Sequence, residues 1–513
     1  MPDEEESSTM RRHLALATAA AAVMGLLASP APAAPPTDTT ALQDAVTVGG
    51  MVEHLEAFQS FADTSDVENT RLAGSTGYDD SAAYVADRAE AAGYDVTVQE
   101  FVFTGYRPLG PSTLRQTAPG SVTYAEGTDY QLMSQTEPGN VTAAVTAVDL
   151  ALGLGNASSS GCETSDFSGF PAGNIALIQR GTCTFQAKAE NAAAANAVGA
   201  IIFNQGDTED RRGLVGGTLS ADYDGGIPVM DATYDRGAEW AATPGLEMQL
   251  IADVERGPVT TSNVLADTPG GRADRVVVVG AHLDSVPEGA GIQDNGSGSA
   301  LILEIAEEMA ELGIEPTNKV RFAWWGAEES GLVGSDHYVA NLPKRERKNI
   351  ALNLNFDMVA SPNYVRFIYD GDGSAFGLKG PTGSGQIEQI FEDWFDGEGL
   401  ATEPTAFDGR SDYDPFITVG IPAGGLFTGA EGIKTVEQAA IYGGTPGDQY
   451  DPCYHLACDD ITNITEAGKE VLGQNGDASA HAVLTFAMTS SAVGGTAKAS
   501  PKSTQNRGHE AIS

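Results

Sequence analysis

Apolar residues in this chain recur with two different periods, and the changes of period outline its elements. In "TGYDDSAAYVADRAEAAGYDVTVQEFVF" (76–103) they first fall three and four apart, which predicts a helix. Gly93 stops that helix, and Val96, Val98 and Phe101 then mark a strand. "NIALIQRGTCTFQAKAENAAAANAVGAIIFN" (174–204) reads as strand, turn, alanine-rich helix and strand. Further on, "RVVVVGAHLDS" (275–285) is a buried-type strand, and "GSALILEIAEEMAELG" (298–313) is a helix stopped by Gly313. "KVRFAWWGAEE" (319–329) and "NIALNLNFDMV" (349–359) are strands again. Strands alternating with helices of this length predict an α/β fold, with a mostly parallel mixed sheet flanked by helices. Ligands of such sheets bind beyond the carboxyl ends of the strands. The middle, about 131–255, differs in texture, with short β-type runs and many glycines. From "TSNVLADTPG" (261–270) onward the texture shifts back to that of the first part.

The ends of the chain follow other rules. "MRRHLALATAAAAVMGLLASPAPAAPP" (10–36) has two arginines, an apolar run and a small-residue end, the pattern of a secretory signal peptide over residues 1–34. The acidic "MPDEEESST" before it does not suit a signal's basic start, so Met10 is a candidate first residue. The polar tail, 491–513, is expected to be disordered. No later segment is long and apolar enough to span a membrane, so the expectation is a secreted, extracellular protein. Acidic residues outnumber basic ones 71 to 28, for a formal charge of −43, which disfavours nucleic acid as a partner. The four cysteines form two close pairs, Cys162 with Cys183 and Cys453 with Cys458. An even number in an exported chain predicts two disulfides.

Several strands end in residues that bind metals. His282 and Asp284 close one strand, Asp294 sits in the glycine-rich loop "GIQDNGSGSA", Glu328 and Glu329 follow "FAWWGA", and Asp357 follows "LNLNF". His455 lies inside the short Cys453–Cys458 loop, where a disulfide would hold the imidazole in place. Taken singly, these residues have ordinary explanations. A histidine at a strand end is usually surface or core, an Asp before Asn-Gly a turn former, and a Glu-Glu pair a solvated helix start. His54, His337, His481 and His509 lack such company and read as ordinary. Together, two imidazoles and three carboxylates are too many for one tetrahedral catalytic zinc, but they suit two ions if one carboxylate bridges. Two metals about 3.5–4 Å apart clamp a water and polarise a carbonyl. A further carboxylate is then needed as general base.

"GAHLDS", "GIQDNGSGSA", "FAWWGAEESGLVGS", "NFDMV", "GRSDYDPF" and "DPCYHLACD" resemble, in order and spacing, the secreted dizinc aminopeptidases of the bacterial leucyl aminopeptidase type. The middle segment, 131–255, looks like the protease-associated (PA) domain inserted in many of them, which implies a β-rich α+β insert between catalytic stretches 40–130 and 256–490. The resemblance implies the zinc exopeptidase, or phosphorylase/hydrolase-like, fold and two Zn²⁺ per chain. It implies that Asp294 bridges, that His282 and Asp357 complete one site, and that Glu329 and His455 complete the other. It gives Asp284 an orienting role behind His282, and makes Glu328 the acid/base for a zinc-bridged water. Tyr454 would stabilise the oxyanion, Arg410 would line the substrate site and Phe427 would wall the specificity pocket. Tyr413 stands where relatives often have histidine. Some relatives bind a structural calcium, and Glu466 and Glu470 lie in the comparable region.

The expected function is removal of N-terminal residues from peptides, with large apolar residues such as leucine preferred, by a monomer. The insert is expected to shade the cleft. Three alternatives remain at this point: a dizinc carboxypeptidase or dipeptidase of the same fold, a single-zinc glutaminyl cyclase-like enzyme, and a non-catalytic binding protein.

Overall fold

The computed structural model describes residues 37–208, 210–220 and 222–489. The expected signal peptide, with its alternative start at Met10, and the expected disordered tail lie outside the described residues, as does His509. Two eight-stranded sheets organise the chain. The strands of the first are β1 (Asp95–Pro108), β2 (Val254–Asp267), β3 (Arg272–His282), β4 (Asn318–Trp325), β5 (Ile350–Phe356), β6 (Phe367–Tyr369), β7 (Glu403–Thr405) and β8 (Ala423–Phe427). Their spatial order is β1-β2-β4-β3-β5-β8-β6-β7. The four central strands β4, β3, β5 and β8 run parallel, and the antiparallel pairings lie to either side. This is the mixed, mostly parallel, helix-flanked sheet that the strand–helix alternation predicts.

The unbroken valine run of β3 has a direct structural reason. Successive strand residues point to opposite faces. Val277 and Val279 enter a core with Leu301, Ile302 and Ile305 of the helix Ser297–Glu311. Val276 and Val278 enter a second core with Tyr338 and Phe416. A strand covered on both faces needs apolar residues at both parities. Burying one valine side chain contributes about 1.5–3 kcal/mol, which makes this strand a strong anchor for the residues at its end.

β1 and β2 form a long antiparallel ribbon, from Asp95 opposite Asp267 to Pro108 opposite Val254. The ribbon leads directly into the second sheet, where Thr113–Ala118 pairs with Glu247–Ala252. Gly139–Val148, Ile175–Gln179, Gly199–Phe203 and Val229–Ala232 continue that sheet in parallel. Ile175, Leu177 and Ile201 face one core of this insert, while Ala176, Ile178 and Ile202 face another. The second sheet begins earlier than the residue-131 boundary drawn from texture. Thr113–Ala118 and Val122–Thr123 belong to it. Composition did not mark this change because the strand is assigned by its distant partner, Glu247–Ala252, and not by its own residues. The disulfides pair as expected, Cys162 with Cys183 in the insert and Cys453 with Cys458.

Candidate metal centre

Because β4, β3, β5 and β8 are parallel, their carboxyl ends open on one edge of the sheet. β3 ends on His282, β5 is followed by Asp357, and β8 ends on Phe427. β4 ends on Trp325, and the turn after it carries Glu328 and Glu329. Ala327 bends that turn with a left-handed φ of 56°. Asp284 holds it from beneath. Its Oδ1 accepts the Glu328 N–H at 3.0 Å and its Oδ2 accepts the Glu329 N–H at 3.3 Å. Sequence reasoning gave Asp284 only an orienting role behind His282. The Asp284 carboxylate does lie 3.7 Å from His282 Nδ1, but its hydrogen bonds go to the glutamate turn.

The five expected ligands converge. His282 Nε2 lies 3.2 Å from Asp294 Oδ1 and 3.4 Å from Asp357 Oδ1. His455 Nε2 lies 3.3 Å from Asp294 Oδ2 and 3.2 Å from Glu329 Oε2. The two oxygens of Asp294 therefore face different imidazoles. Zinc held at about 2.0–2.1 Å by nitrogen and oxygen sets its tetrahedral ligands about 3.3–3.4 Å apart, which is the spacing these donors keep. Asp357 Oδ1 and Glu329 Oε1 are buried without a hydrogen-bond donor. Imidazole and carboxylate donors so spaced fit divalent metal ions.

Residues 263–482 match the model of peptidase family M28, and residues 141–240 match that of the PA domain. An aminopeptidase of Pseudomonas aeruginosa (strain UCBPP-PA14) is 56% identical over 421 residues, covering 82% of this chain and 78% of that protein. The chain belongs to peptidase family M28. Leucine aminopeptidase 2 of Trichophyton tonsurans is 39% identical over 433 residues, 83% of this chain and 82% of that one. Among solved structures, a zinc aminopeptidase from Bacillus subtilis matches with a TM-score of 0.60 and 26% identity, covering 86% of this chain and 96% of that one. The family resemblance and the PA domain read from the motifs are both borne out.

The electrostatics of this M28 site follow from burial. In the metal-free chain, burial pushes the Glu328 carboxyl well above the usual carboxylate range, against the pull of His282. Burial raises Glu329 to about 7, and also raises Asp412, the fully buried residue after Ser411, to about 7. Burial disfavours charge on His282, yet Glu328 and Asp357 raise it well above the usual imidazole value. His455 behaves alike, with burial opposed by Glu329 and Asp294. Asp294 is buried too, but its bonds to both imidazoles hold it well below the usual carboxylate range. The cluster has more carboxylates than cations to balance them, and bound divalent ions would supply the missing positive charge.

The structure adds residues that motif reading passed over. Ser411 donates to Asp357 Oδ2 at 2.5 Å and accepts from Asn355 Nδ2 at 2.8 Å. Arg71 is fully buried and donates to the carbonyls of Leu283, Ala290 and Gly291, bracing the loop that leads to Asp294. Asp459 accepts the N–H groups of Gln293 and Asp294. Ser411 and Asp459 lie within the quoted motifs, and only their neighbours drew attention. Arg71 left no signal, because a buried arginine looks like any other in sequence.

The cleft over the site is lined by Met358, Tyr369, Ala406, Phe427, Arg410 and Tyr454, among others. Arg410 donates to both oxygens of Glu431, at 2.7 and 3.3 Å, and to Tyr454 Oη at 3.0 Å. Burial raises the Tyr454 phenol well above its usual value, although Arg410 pulls the other way, so the phenol keeps its proton. Tyr413, at the position of the relatives' histidine, donates to Asp408 at 2.9 Å and packs against Tyr369 and Phe407. It thus supports the pocket wall from behind. Glu466 and Glu470, considered for calcium, are exposed on the helix Glu466–Met488, and Glu466 pairs with Lys469 at 3.0 Å. His54, read as ordinary, is buried with its Nδ1 2.9 Å from Tyr84 Oη and its Nε2 3.5 Å from Glu304.

Proposed function

We propose that this M28 zinc aminopeptidase holds two zinc ions, one between His282, Asp294 and Asp357 and the other between His455, Asp294 and Glu329. The observation that carries the reading is the placement of the two Asp294 oxygens against different imidazoles, with Glu328 left over beside them. When bound, the zinc ions would polarise the scissile carbonyl and acidify the attacking water. Glu328 takes the proton from that water and returns it to the leaving amine, a role suited to a carboxylate whose proton affinity burial raises. Tyr454 donates its phenolic hydrogen to the developing oxyanion. Carboxylates of the cluster attract the free α-amino group of the substrate.

Large apolar N-terminal residues such as leucine are the proposed preference. Met358, Tyr369, Ala406 and Phe427 give the cleft apolar walls, and the Trichophyton relative is named for leucine. A carboxypeptidase would need a free cation for the C-terminal carboxylate, but Arg410 is already committed to Glu431 and Tyr454. Every proposed ligand and Glu328 come from one chain, which is consistent with a working monomer. Among the described residues, none between Thr113 and Ala252 lines the cleft, so the PA domain is proposed to influence the approach of larger substrates and not the choice of N-terminal side chain. The two disulfides support export. The test compares leucine p-nitroanilide with its N-blocked form while zinc is counted. Hydrolysis of the free amine alone, with two zinc ions per chain, is expected. Cleavage of only the blocked substrate would overturn the aminopeptidase reading.

A further inference from the structure

The two proposed metal positions draw their ligands from parts of the chain that are far apart. Asp294 precedes the helix Ser297–Glu311, whereas His455 lies in the Cys453–Cys458 loop. One buried carboxylate joins them. Asp459, immediately after Cys458, is 1% exposed. Its Oδ1 accepts the Gln293 N–H at 2.8 Å and its Oδ2 accepts the Asp294 N–H at 3.0 Å. Its own carbonyl accepts the Ile292 N–H at 3.3 Å. Three consecutive N–H groups ending at Asp294 are thus held by one residue of the His455 segment.

The other end of the disulfide loop is fastened to the same point. Asp451 accepts the Cys453 N–H at 2.8 Å. Asn463 Nδ2 lies 3.1 Å from both Asp451 oxygens and 3.2 Å from Asp459 Oδ1, so one amide spans the carboxylates flanking the loop. The loop also presses on the segment before Asp294, since a Cβ at Gly289 would stand 2.5 Å from the Leu456 carbonyl oxygen. Positioned backbone of this kind controls where a ligand oxygen points, and displacements well below an ångström matter at a metal.

We propose that Asp459, clasped by Asn463, is a positioning residue that fixes Asp294 and His455 relative to each other, so that the two metal positions form as one unit. The inference rests on the metal reading above. In Asp459→Asn one oxygen becomes an N–H₂ group facing a backbone N–H, and in Asn463→Ala the clasp is lost while Asp459 remains. The experiment prepares both variants metal-free and checks folding by circular dichroism and thermal melting. It then titrates each with zinc and with cobalt(II), whose visible absorption reports ligand geometry, and measures kcat and KM on leucine p-nitroanilide. The expected result is a folded apoprotein with zinc affinity lowered about 10–100-fold, as for other residues that orient ligands. An altered cobalt spectrum and a fall in kcat larger than the change in KM are expected with it. Wild-type zinc affinity and cobalt spectrum in a folded Asp459→Asn or Asn463→Ala would overturn the proposal, and so would failure of both variants to fold. Absence of zinc binding by the wild-type protein would instead defeat the metal reading itself.

Discussion

In Glu328→Gln the side chain keeps its size and loses its ability to exchange a proton. The turn that carries it is held through the backbone, because the Glu328 N–H donates to Asp284, and the substitution leaves that bond intact. In the metal-free chain burial already disfavours charge on this carboxyl, so an uncharged amide of the same size suits the site. Folding and zinc binding should therefore survive. A general acid–base group contributes about 10²–10⁴-fold, and Glu328 is assigned both proton transfers of a turnover, so kcat should fall about 10³–10⁴-fold. That corresponds to about 4–5.5 kcal/mol at about 1.36 kcal/mol per tenfold. The assay is steady-state hydrolysis of leucine p-nitroanilide by protein with measured zinc content and melting temperature. A kcat within tenfold of the wild type, with two zinc ions bound, would refute the assignment.

Glu329→Ala should lower zinc binding at one position only, with an affinity loss beyond the about 10–100-fold typical of an outer partner. Equilibrium dialysis showing two tightly held zinc ions would contradict it. Tyr454→Phe removes an oxyanion donor and should reduce kcat by about 10²–10³-fold with little change in KM, since the donor acts on charge that develops in the transition state. Thermal melting of the metal-free protein should fall as pH rises from about 5 to 7. Glu329 and Asp412, at about 7, bind protons more tightly folded than unfolded, so their contribution is present at low pH and is lost as pH rises through the folded value. Saturating zinc, which displaces the proton from Glu329, should flatten that dependence, and a metal-free melting curve that rose over this range would contradict the sign.

Much of the catalytic domain was legible because the signals were local. The valine run of β3, the helix ending before Gly313 and the strand before Glu328 all follow from periodicity and stop residues within a short window. Residue chemistry at strand ends then named the ligand candidates, and motif order named the family. The start of the second sheet was not legible, because Thr113–Ala118 is placed by its pairing with Glu247–Ala252 and not by its own composition. The hydrogen bonds of Asp284, Arg71 and Asp459 were equally hidden, since they join residues 44 to 220 positions apart.

The sequence by itself determined most elements of the first sheet, the two disulfide pairs and the set of side chains able to bind metal, because these depend on local spacing and on residue chemistry. Only the tertiary structure decided how the set is arranged. Parallel pairing put the strand ends on one edge, Asp284 splayed two adjacent glutamates, and Asp294 came to lie between two imidazoles. Those relations depend on long-range packing and on buried hydrogen bonds, whose partners no local pattern of residues specifies.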